Sequence, residues 1–556
     1  MNLLPTARRA TLVAFTSALL LLLLAACATP GMDTRTVPPR ATPSALTDGW
    51  QHGAFMEIFV RAYQDSDGDG IGDLRGLISR LDYLQDLGVR GIWLMPITRS
   101  ADGDHGYATT DFRAILPQYG SLADFDELIT QAHKRGIGVI KDYVINHSAA
   151  AHPMFVAARQ DKASPWRDWF VWAHEMPLGW DIWGKNPWYH VGAAPWLHTG
   201  EVKDLPKPAA DARDFYFGTF GPHMPDFNLR NPQVWQYHVD SLRFWLNRGL
   251  DGFRLDAVPH MVENSAKDWN DQPESRALTR KLQDLVKSYP QRWTVCEATA
   301  EPAIYASAEV CGAAFAFGYV HHYVEAAWGK AESVKVVAEY FSRAPHSLST
   351  FVSNHDIFAG LRLWDQVDGD VAKYKLAAAG YLLQPGTPFI YYGEEVGQPG
   401  LPGLKGDLPI RGPMSWTPDA RTAGFTSGTP FRSVAPQLAV NNAQSQRQQP
   451  DSIHAFYKAM IALRNQHPSI ARGSYVAATA QGLVASWQRK YGPEHTLVAI
   501  NYGATSAAVE LSQLPPGARL VPLYPQAAAP AAVNAYGGTQ LELPAQAVQV
   551  FVVQGS

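Results

Sequence analysis

The fold of this chain is decided by the stretch GFRLDAVPH, Gly252–His260, an apolar run that reaches an acidic residue, Asp256. The stretches TVCEAT, Thr294–Thr299, and FVSNHD, Phe351–Asp356, have the same form. Each pattern predicts a buried β-strand that presents a carboxylate at its C-terminal end. Acidic side chains are seldom placed at such an edge unless they are paired or functional.

The three strands would bring Asp256, Glu297 and Asp356 to one edge, with Arg254 two residues before the first of them. Two carboxylates that face one bond can act as nucleophile and general acid. A gap of roughly 5–5.5 Å between them is typical of glycosidases that retain the anomeric configuration. A plain alternative is that the acids form buried ion pairs with Arg254 and its neighbours.

The composition limits the classes of partner. The 556 residues carry a formal net charge of −4, which gives no basic footprint for nucleic acid. We therefore expect no nucleic-acid partner, and nothing in the sequence indicates an organic cofactor or a protein partner. Outside the N-terminal segment the cysteines are Cys296 and Cys311. They would pair in an exported protein or remain as buried thiols.

The N-terminus has the form of an export signal. Arg8 and Arg9 precede an apolar run over residues 11–26. This pattern predicts a secretory signal peptide over residues 1–26 rather than a membrane-spanning helix. Its end resembles the lipobox of bacterial lipoproteins, which implies cleavage before Cys27 and acylation of that cysteine. The alternative is a plain signal peptide with an incidental cysteine.

The segment that follows is predicted to be a flexible tether over residues 27–47, because it is rich in Pro, Thr and Ala. With a lipid on Cys27, the protein would be exported and held on a membrane surface without a spanning helix. In a Gram-negative host we expect it at the outer membrane or on the periplasmic face of the cell envelope.

From residue 54 to about residue 397, strand-like runs alternate with amphipathic helical stretches, as in a parallel sheet with crossover helices. Eight such runs predict an α/β fold of the closed (β/α)8 barrel type. The helix before the third strand is clearest, because Ser121 can cap it, Asp124 suits its first turn and Gly136 ends it. The predicted strands are Ala54–Val60, Gly91–Pro96, Gly138–Asn146, Gly252–Val258, Trp293–Ala298, Ala314–Tyr319, Ser349–Asp356 and Pro388–Glu395.

Two further regions accompany the barrel. The long connection after the third strand predicts an inserted subdomain over residues 147–225, because loops of this length are usually functional or small domains of their own. The barrel would then comprise residues 48–146 and 226–470. After the amphipathic helix Ser452–Gln466 the pattern becomes antiparallel, which predicts a β-sandwich over residues 474–556.

These stretches together resemble glycoside hydrolase family 13, the α-amylase family, over about residues 54–416. The motifs that carry the resemblance occur in the family's order: GIWLMP, HGYATTDF, DYVINH, MPDFN, GFRLDAVPH, the strand of Glu297, FVSNHD and GTPFIYYGEE. The resemblance implies a (β/α)8 barrel with an insertion after the third strand and a C-terminal β-sandwich. It also implies an active site at the C-terminal ends of the strands.

The same resemblance assigns roles to individual residues. Asp256 would be the nucleophile, Glu297 the acid and then the base, and Asp356 would bind sugar hydroxyls more strongly in the transition state. Glu297 must hold its proton near neutral pH, which requires a raised pKa. The substrate-binding residues that the match implies are Arg254, His105, Tyr107, His147, His355, Asp407 and Arg411.

Calcium is expected at one site and is also suggested at a second. The stretch DSDGDGIGD, Asp65–Asp73, spaces acidic side chains as an oxygen cage for a hard cation would, and a solvated acidic turn is the alternative. An EF-hand is excluded because its twelfth position is Gly76. The ligands that the resemblance implies are Asp65, Asp67, Asp69, the carbonyl of Ile71 and Asp73 at the first site, and Asn146, Asp226 and His260 at the second.

Three positions bear on specificity. Pro259 stands where many α-amylases have Lys, and Ala257 favours α-1,4 over α-1,6 bonds. The stretch Met224–Asn228 resembles the MPDLN variant of a group between oligo-1,6-glucosidases and neopullulanases, which includes lipoprotein α-amylases. We therefore expect an endo-acting α-amylase that hydrolyses α-1,4-glucans such as starch and maltodextrins. The alternatives are a 4-α-glucanotransferase or oligo-α-glucosidase of the same family, and an inactive sugar-binding surface protein.

Overall fold

A computed structural model describes the chain except for its N-terminal segment and a few short stretches. The described residues are 32–40, 43–192 and 213–555, with the backbone alone of 196–197 and 200–201. The expected signal peptide, the acylation of Cys27 and the start of the tether lie outside them. Of the unit that ends at Thr36, the structure describes residues 32–36, and there Asp33 pairs with Arg35. No helix in the described part of the chain is both long enough and apolar enough to cross a bilayer.

The larger unit, from Val37 onward, is built around eight parallel strands that confirm the predicted (β/α)8 barrel. They lie in the order β7-β6-β5-β4-β3-β2-β1-β8, and a bridge between Thr350 and Pro388 joins the two ends of the sheet. The bounds are β1 Phe55–Ile58, β2 Gly91–Leu94, β3 Gly138–Tyr143, β4 Gly252–Leu255, β5 Trp293–Cys296, β6 Ala314–Phe315, β7 Leu348–Ser349 and β8 Phe389–Tyr391.

The strands are shorter than predicted, and β7 is the main correction. The sequence indicated a strand that runs to Asp356, but β7 ends at Ser349 and only Thr350 continues the pairing. Phe351 and Val352 are buried without belonging to a strand. Apolar residues that line the top of a barrel give the same sequence pattern as a strand, so Asp356 lies on a loop.

Helices cover the outside of the barrel. The helix before β3 spans Leu122–Lys134, and Ser121 and Asp124 form the predicted capping box at its start. The α-helices are Val60–Tyr63, Leu74–Ser79, Leu81–Leu87, Leu122–Lys134, Pro153–Gln160, Pro232–Leu246, Pro273–Lys287, Pro302–Tyr305, His321–Ala327, Ala331–Glu339, Leu363–Gln366, Val371–Leu382, Ala443–Gln446, Ile453–Gln466 and Pro468–Arg472.

The C-terminal region is antiparallel. A six-stranded sheet in the order β9-β10-β11-β16-β13-β14 accompanies a two-stranded sheet of β12 and β15. Leu497, Val509 and Phe551 belong to the apolar core that these strands share. The bounds are β9 Ser474–Gln481, β10 Val484–Tyr491, β11 Glu494–Asn501, β12 Ala507–Leu511, β13 Arg519–Tyr524, β14 Ala531–Ala532, β15 Thr539–Leu543 and β16 Ala547–Gln554.

The connection between β3 and β4 carries a small sheet of its own. Three short antiparallel strands lie in the order Trp172–Ala173, Phe215–Phe217, Trp188–His190. Ile182, Trp188 and Phe217 form an apolar cluster in this region. Two further strand pairs are Thr98–Ser100 with Thr109–Ile115, and Trp196–Leu197 with Gly200–Glu201.

Candidate active site

Two of the three expected catalytic acids stand directly after barrel strands. Asp256 follows β4 and Glu297 follows β5, so both side chains emerge at the C-terminal edge of the barrel. Ala257, the residue after Asp256, has a φ of 51°, in the left-handed region that residues other than Gly rarely adopt. This turn points the Ala257 N–H at Glu297 Oε2, 3.0 Å away.

Arg254 connects these acids through a single buried guanidinium. Its Nη1 donates to Asp142 Oδ1 at 3.0 Å and also to Asp256. Its Nη2 lies 3.0 Å from Glu297 Oε2. Burial raises the pKa of Asp256, and the charge of Arg254 opposes that rise. One cation thus faces three carboxylates, those of Asp142, Asp256 and Glu297.

Beside this cluster, His355 lies between two carboxylates. Its Nδ1 is 2.6 Å from Glu57 Oε1, and its Nε2 is 3.2 Å from Asp356 Oδ2. Burial by itself would lower the pKa of His355, but the two carboxylates outweigh it and raise the pKa to about 10. Burial would likewise raise the pKa of Asp356, yet His355 and Arg411 hold it well below its usual range. At neutral pH the pair is therefore an imidazolium and a carboxylate.

Tyr107 fixes the orientation of His355. The two rings stack with centroids 5.4 Å apart and planes 16° from parallel. The Tyr107 hydroxyl is 2.8 Å from Asp142 Oδ2 and 2.8 Å from His355 Nε2. Tyr107 thus links the hydrogen bonds of Arg254 to those of His355.

A chain of ion pairs lies on the far side of Asp356. Arg411 Nη2 is 3.0 Å from Asp356 Oδ1 and 3.2 Å from Asp407 Oδ2. Its Nη1 donates to Asp104 Oδ2 at 2.9 Å, and Arg432 donates to the other Asp104 oxygen at 2.9 Å. Arg411 and Asp104 are almost fully buried. We call this network of Asp356, Asp407, Arg411, Asp104 and Arg432 the Arg411 cluster.

The acids open into one cavity of about 810 Å³. Asp256, Glu297 and Asp356 all line it. Arg254 and His355 are buried at its base. The other expected substrate-binding residues that line it are His105, Tyr107, His147, Asp407 and Arg411. The structure therefore brings together the whole set of residues that the sequence singled out for catalysis and substrate binding.

Four charged residues of the site were missed by the sequence analysis: Glu57, Asp104, Asp142 and Arg432. Glu57 lies within β1 and Asp142 within β3, both fully buried. An acidic residue inside an apolar strand was the same signal that identified Asp256, and it would have found these two. Asp104 and Arg432 lie on loops without such a signal.

The expected first calcium loop brings carboxylates together. Asp65, Asp67 and Asp73 each offer an oxygen, and these atoms lie within 4.8 Å of one another. Asp69 Oδ1 accepts the N–H of Ile71 at 2.8 Å. Gly70 has a φ of 90°, and a Cβ there would stand 2.0 Å from the Thr429 carbonyl oxygen, so the turn needs Gly. Grouped carboxylate oxygens are the donors that Ca²⁺ prefers. Both oxygens of Asp65 and of Asp73 also accept hydrogen bonds from the loop and from Thr426, and Asp69 is not part of the group.

The expected second calcium site is assembled in part. Asn146 Nδ2 donates to Asp226 Oδ2 at 3.0 Å. Both Asp226 oxygens also accept hydrogen bonds from Thr219. His260 stacks on Trp269, with centroids 5.5 Å apart, and lines the catalytic cavity. Asn146 and Asp226 are thus in contact, while the His260 ring packs on Trp269.

Cys296 and Cys311 form a disulfide, which decides between the two states that the sequence left open. Their Cα atoms are 6.3 Å apart. Cys296 is the last residue of β5 and immediately precedes Glu297. The bridge therefore ties the strand that carries Glu297 to the loop before β6.

Known proteins share this architecture. Residues 57–473 match the family model described as alpha amylase, catalytic domain. The trehalose synthase/amylase TreS of Mycobacterium tuberculosis (strain CDC 1551 / Oshkosh) is 32% identical over 475 residues, 77% of this chain and 76% of its own. Alpha-amylase 3 of Dictyoglomus thermophilum is 32% identical over 444 residues, 76% of this chain and 79% of its own. The oligo-1,6-glucosidase of Parageobacillus thermoglucosidasius is 26% identical over 536 residues, 83% and 92% of the two chains.

A solved structure extends the similarity to nearly the whole chain. The crystal structure of the alpha-glucosyl transfer enzyme XgtA superposes with a TM-score of 0.75 at 28% identity, covering 91% of this chain and 99% of that one. The matched family model spans most of the sequence, including β4 and β5, the strands that Asp256 and Glu297 follow. The protein is therefore a member of the α-amylase family, glycoside hydrolase family 13, and an enzyme that acts on α-glycosidic bonds.

Proposed function

We propose that the protein is a retaining α-glucosidase that removes glucosyl units from the non-reducing ends of short α-glucans and can transfer them. The observation that carries this proposal is the Arg411 cluster, whose Asp356, Asp407 and Arg411 side chains line the cavity. A glucan that continued past that point would have to displace buried ion pairs, and breaking such pairs is costly. This geometry supports an exo-acting pocket in place of the endo-acting cleft expected from the sequence. The relative named oligo-1,6-glucosidase is in line with it, whereas the relatives named trehalose synthase/amylase and alpha-amylase 3 do not distinguish exo from endo action.

In the proposed first step Asp256 attacks the anomeric carbon, and Glu297 gives its proton to the glycosidic oxygen as that bond breaks. The glucosyl unit is then an ester of Asp256. Positive charge develops on the sugar ring in the transition state. The ionised Asp356 faces that charge in a preorganised site, because His355 and Arg411 already hold its carboxylate in place.

In the second step Glu297, now a carboxylate, takes a proton from an incoming hydroxyl. The hydroxyl oxygen bonds to the anomeric carbon as the ester bond to Asp256 breaks, so two inversions give net retention. When the incoming molecule is water the reaction is hydrolysis. When it is another sugar or alcohol the reaction is transfer.

The test is a time course of products from maltoheptaose with the purified enzyme. We expect glucose and maltohexaose as the first products, with the released glucose in the α configuration. Asp256→Asn should reduce turnover by several orders of magnitude and still bind maltodextrin. An early mixture of maltotriose and maltotetraose without glucose would refute the exo proposal. Activity of the Asp256→Asn variant near that of the wild type would refute the assignment of the nucleophile.

We also propose that the Asp65–Asp73 loop binds Ca²⁺ through Asp65, Asp67 and Asp73. The grouped carboxylates support it, since three negative charges held so closely are stabilised by a divalent cation. The loop lies outside the catalytic cavity, so the ion would stabilise the fold and take no part in bond cleavage.

Export and lipid anchoring through Cys27 are likewise proposals. The disulfide between Cys296 and Cys311 supports an oxidising compartment, because such bonds rarely persist in the cytosol. Metabolic labelling with a fatty acid, followed by membrane fractionation, tests the anchor. Cys27→Ser should lose the label and the membrane association together, whereas a soluble, unlabelled wild type would refute the proposal.

A further inference from the structure

Two histidines and a glutamate lie together on the helix His321–Ala327, which follows β6. His321, His322 and Glu325 each offer one ring nitrogen or carboxylate oxygen, and these three atoms lie within 4.8 Å of one another. The group differs in kind from the Asp65–Asp73 loop, because two of its three donors are imidazoles. Side chains placed in this way could hold a metal ion other than Ca²⁺.

Helical spacing explains why the three side chains meet. Glu325 is four residues from His321 and three from His322, so each histidine can reach it along the helix surface. The two imidazole rings lie against each other, with centroids 4.1 Å apart. His322 Nδ1 is 3.6 Å from Glu325 Oε2. The group is therefore built within one turn of helix and depends on no distant segment.

A buried serine on the next helix, Ala331–Glu339, orients two members of the group. The Ser333 hydroxyl donates to Glu325 Oε2 at 2.7 Å, and its oxygen lies 3.0 Å from His322 Nδ1. Because the hydroxyl proton points at Glu325, the hydroxyl oxygen can accept the Nδ1–H of His322. The other ring nitrogen then keeps the lone pair that binds a metal. Hydrogen bonds of this kind hold the ligands of protein metal sites in place.

The donors favour a transition metal over Ca²⁺. Imidazole nitrogen suits Zn²⁺, Cu²⁺ and Ni²⁺, whereas Ca²⁺ takes oxygen ligands. Three protein ligands on a solvent-facing surface leave a coordination position for water. The Lys330 Nζ is a competing charge, 2.7 Å from Glu325 Oε1. Its side chain is largely exposed, so it can turn into solvent when an ion binds.

This group also borders the catalytic cavity. His321 lines the cavity, together with Phe317, Gly318 and Val320 from the segment between β6 and the helix. An ion held by the group would therefore fix the side chain of His321. It would also bring a hydrated divalent charge to the cavity wall.

We propose that His321, His322 and Glu325 bind a divalent transition metal and that the bound ion inhibits the enzyme. The ion and its water would narrow the cavity beside His321, where a neutral sugar gains nothing from a divalent charge. Binding of the metal is independent of the proposed function. The inhibition rests only on cleavage of α-glycosidic bonds in this cavity, and not on exo action or transfer.

The test is isothermal titration calorimetry with Zn²⁺ alone as the probe. The enzyme carries no polyhistidine tag, is first treated with a chelator, and is titrated in excess Ca²⁺ so that oxygen-only sites are filled. Glu325→Gln and His322→Asn should weaken Zn²⁺ binding by at least about ten-fold, since even the loss of a hydrogen-bond partner of a ligand typically costs ten- to a hundred-fold. Lys330→Met should tighten it, because a competing cation is removed.

Glu332→Gln is the matched control. Glu332 is an exposed carboxylate on the neighbouring helix and lies outside the group. Its loss changes the local charge by the same amount and should leave the affinity for Zn²⁺ nearly unchanged. In parallel, Zn²⁺ should slow the cleavage of α-glucosyl fluoride by the wild type, and EDTA followed by Ca²⁺ should restore the rate. The same concentration of added Ca²⁺ should not inhibit, and Glu325→Gln should resist Zn²⁺.

Each outcome bears on a separate claim. Absence of Zn²⁺ binding, equal affinity of Glu325→Gln and the wild type, or an equal loss in Glu332→Gln overturns the metal site. Zn²⁺ that binds as expected and leaves the rate unchanged overturns the inhibition. An enzyme that binds Zn²⁺ through this group but cleaves neither maltose nor α-glucosyl fluoride overturns the proposed function and leaves the metal site standing.

Discussion

The disulfide beside Glu297 gives the sharpest stability prediction. The perturbation is Cys311→Ser, or chemical reduction of the wild type. Cys296 and Cys311 are 15 residues apart, and opening a loop of that length costs about 3 kcal/mol through the entropy of the unfolded chain. An unfolding entropy of about 2.1 cal/mol/K per residue gives ~1.2 kcal/mol/K for a chain of this length, so we expect Tm to fall by about 2–3 °C.

Activity should respond less than stability. Glu297 Oε2 accepts the N–H of Ala257 at 3.0 Å and lies 3.0 Å from Arg254. Neither contact depends on the sulfur bridge, so the acid should stay in place when the bridge opens. Below the melting transition we therefore expect kcat on maltose to change little.

Differential scanning fluorimetry, with and without a phosphine reductant, measures the effect. Reduction of the wild type and the Cys311→Ser substitution should lower Tm by similar amounts, and the reductant should not lower the Tm of Cys311→Ser further. Mass spectrometry confirms that the bridge has opened. A wild type whose bridge is reduced but whose Tm is unchanged would refute the reasoning, and so would an equal effect of the reductant on both proteins.

Three more predictions concern the acid, the metal loop and a buried lysine. Glu297→Gln should lose most activity on maltose but keep a fast first step with α-glucosyl fluoride, whose leaving group needs no proton; equal losses would argue against the acid role. Exhaustive treatment with EDTA should lower Tm more than it moves the pH optimum, and the Tm of Asp65→Asn should no longer respond to EDTA. Burial lowers the pKa of Lys141 to about 7, so the folded state disfavours the charged form of this lysine. The resulting loss in the free energy of unfolding grows as pH falls from about 10 to about 7, and below that it stays constant. Lys141→Met should therefore raise Tm by more at pH 7 than at pH 10, and a gain independent of pH would contradict this.

The barrel was predictable because its strands are buried and therefore apolar. Every predicted strand has a counterpart, but the predicted ends run too far. The largest error is at β7, where Phe351 and Val352 continue the apolar pattern after pairing has ended at Thr350. Burial determines that pattern, whereas hydrogen bonding defines the strand, and the two diverge where loops fold over the top of a barrel.

The three acids of the proposed active site were found because each follows an apolar run. Which distant residues they pair with could not be predicted, since a contact between distant segments leaves no trace in a single sequence. Glu57 meets His355 across 298 positions, and Asp104 meets Arg411 across 307.

Neighbouring barrel strands are paired over different lengths, and this difference has a kinetic consequence. β4 pairs with β5 along its whole length, whereas β5 and β6 share the single register position of Cys296 and Ala314, and Thr350 with Pro388 alone closes the ring. Amide hydrogen exchange should therefore be slowest across β1 to β5 and fastest along the seam from β6 to β8, because few backbone bonds must break there. Asp356 is attached to the looser arc and Asp256 to the tighter one. Local opening of the seam would thus move the part of the cavity wall that carries Asp356, while Asp256, the proposed nucleophile, stays on the more firmly paired strands.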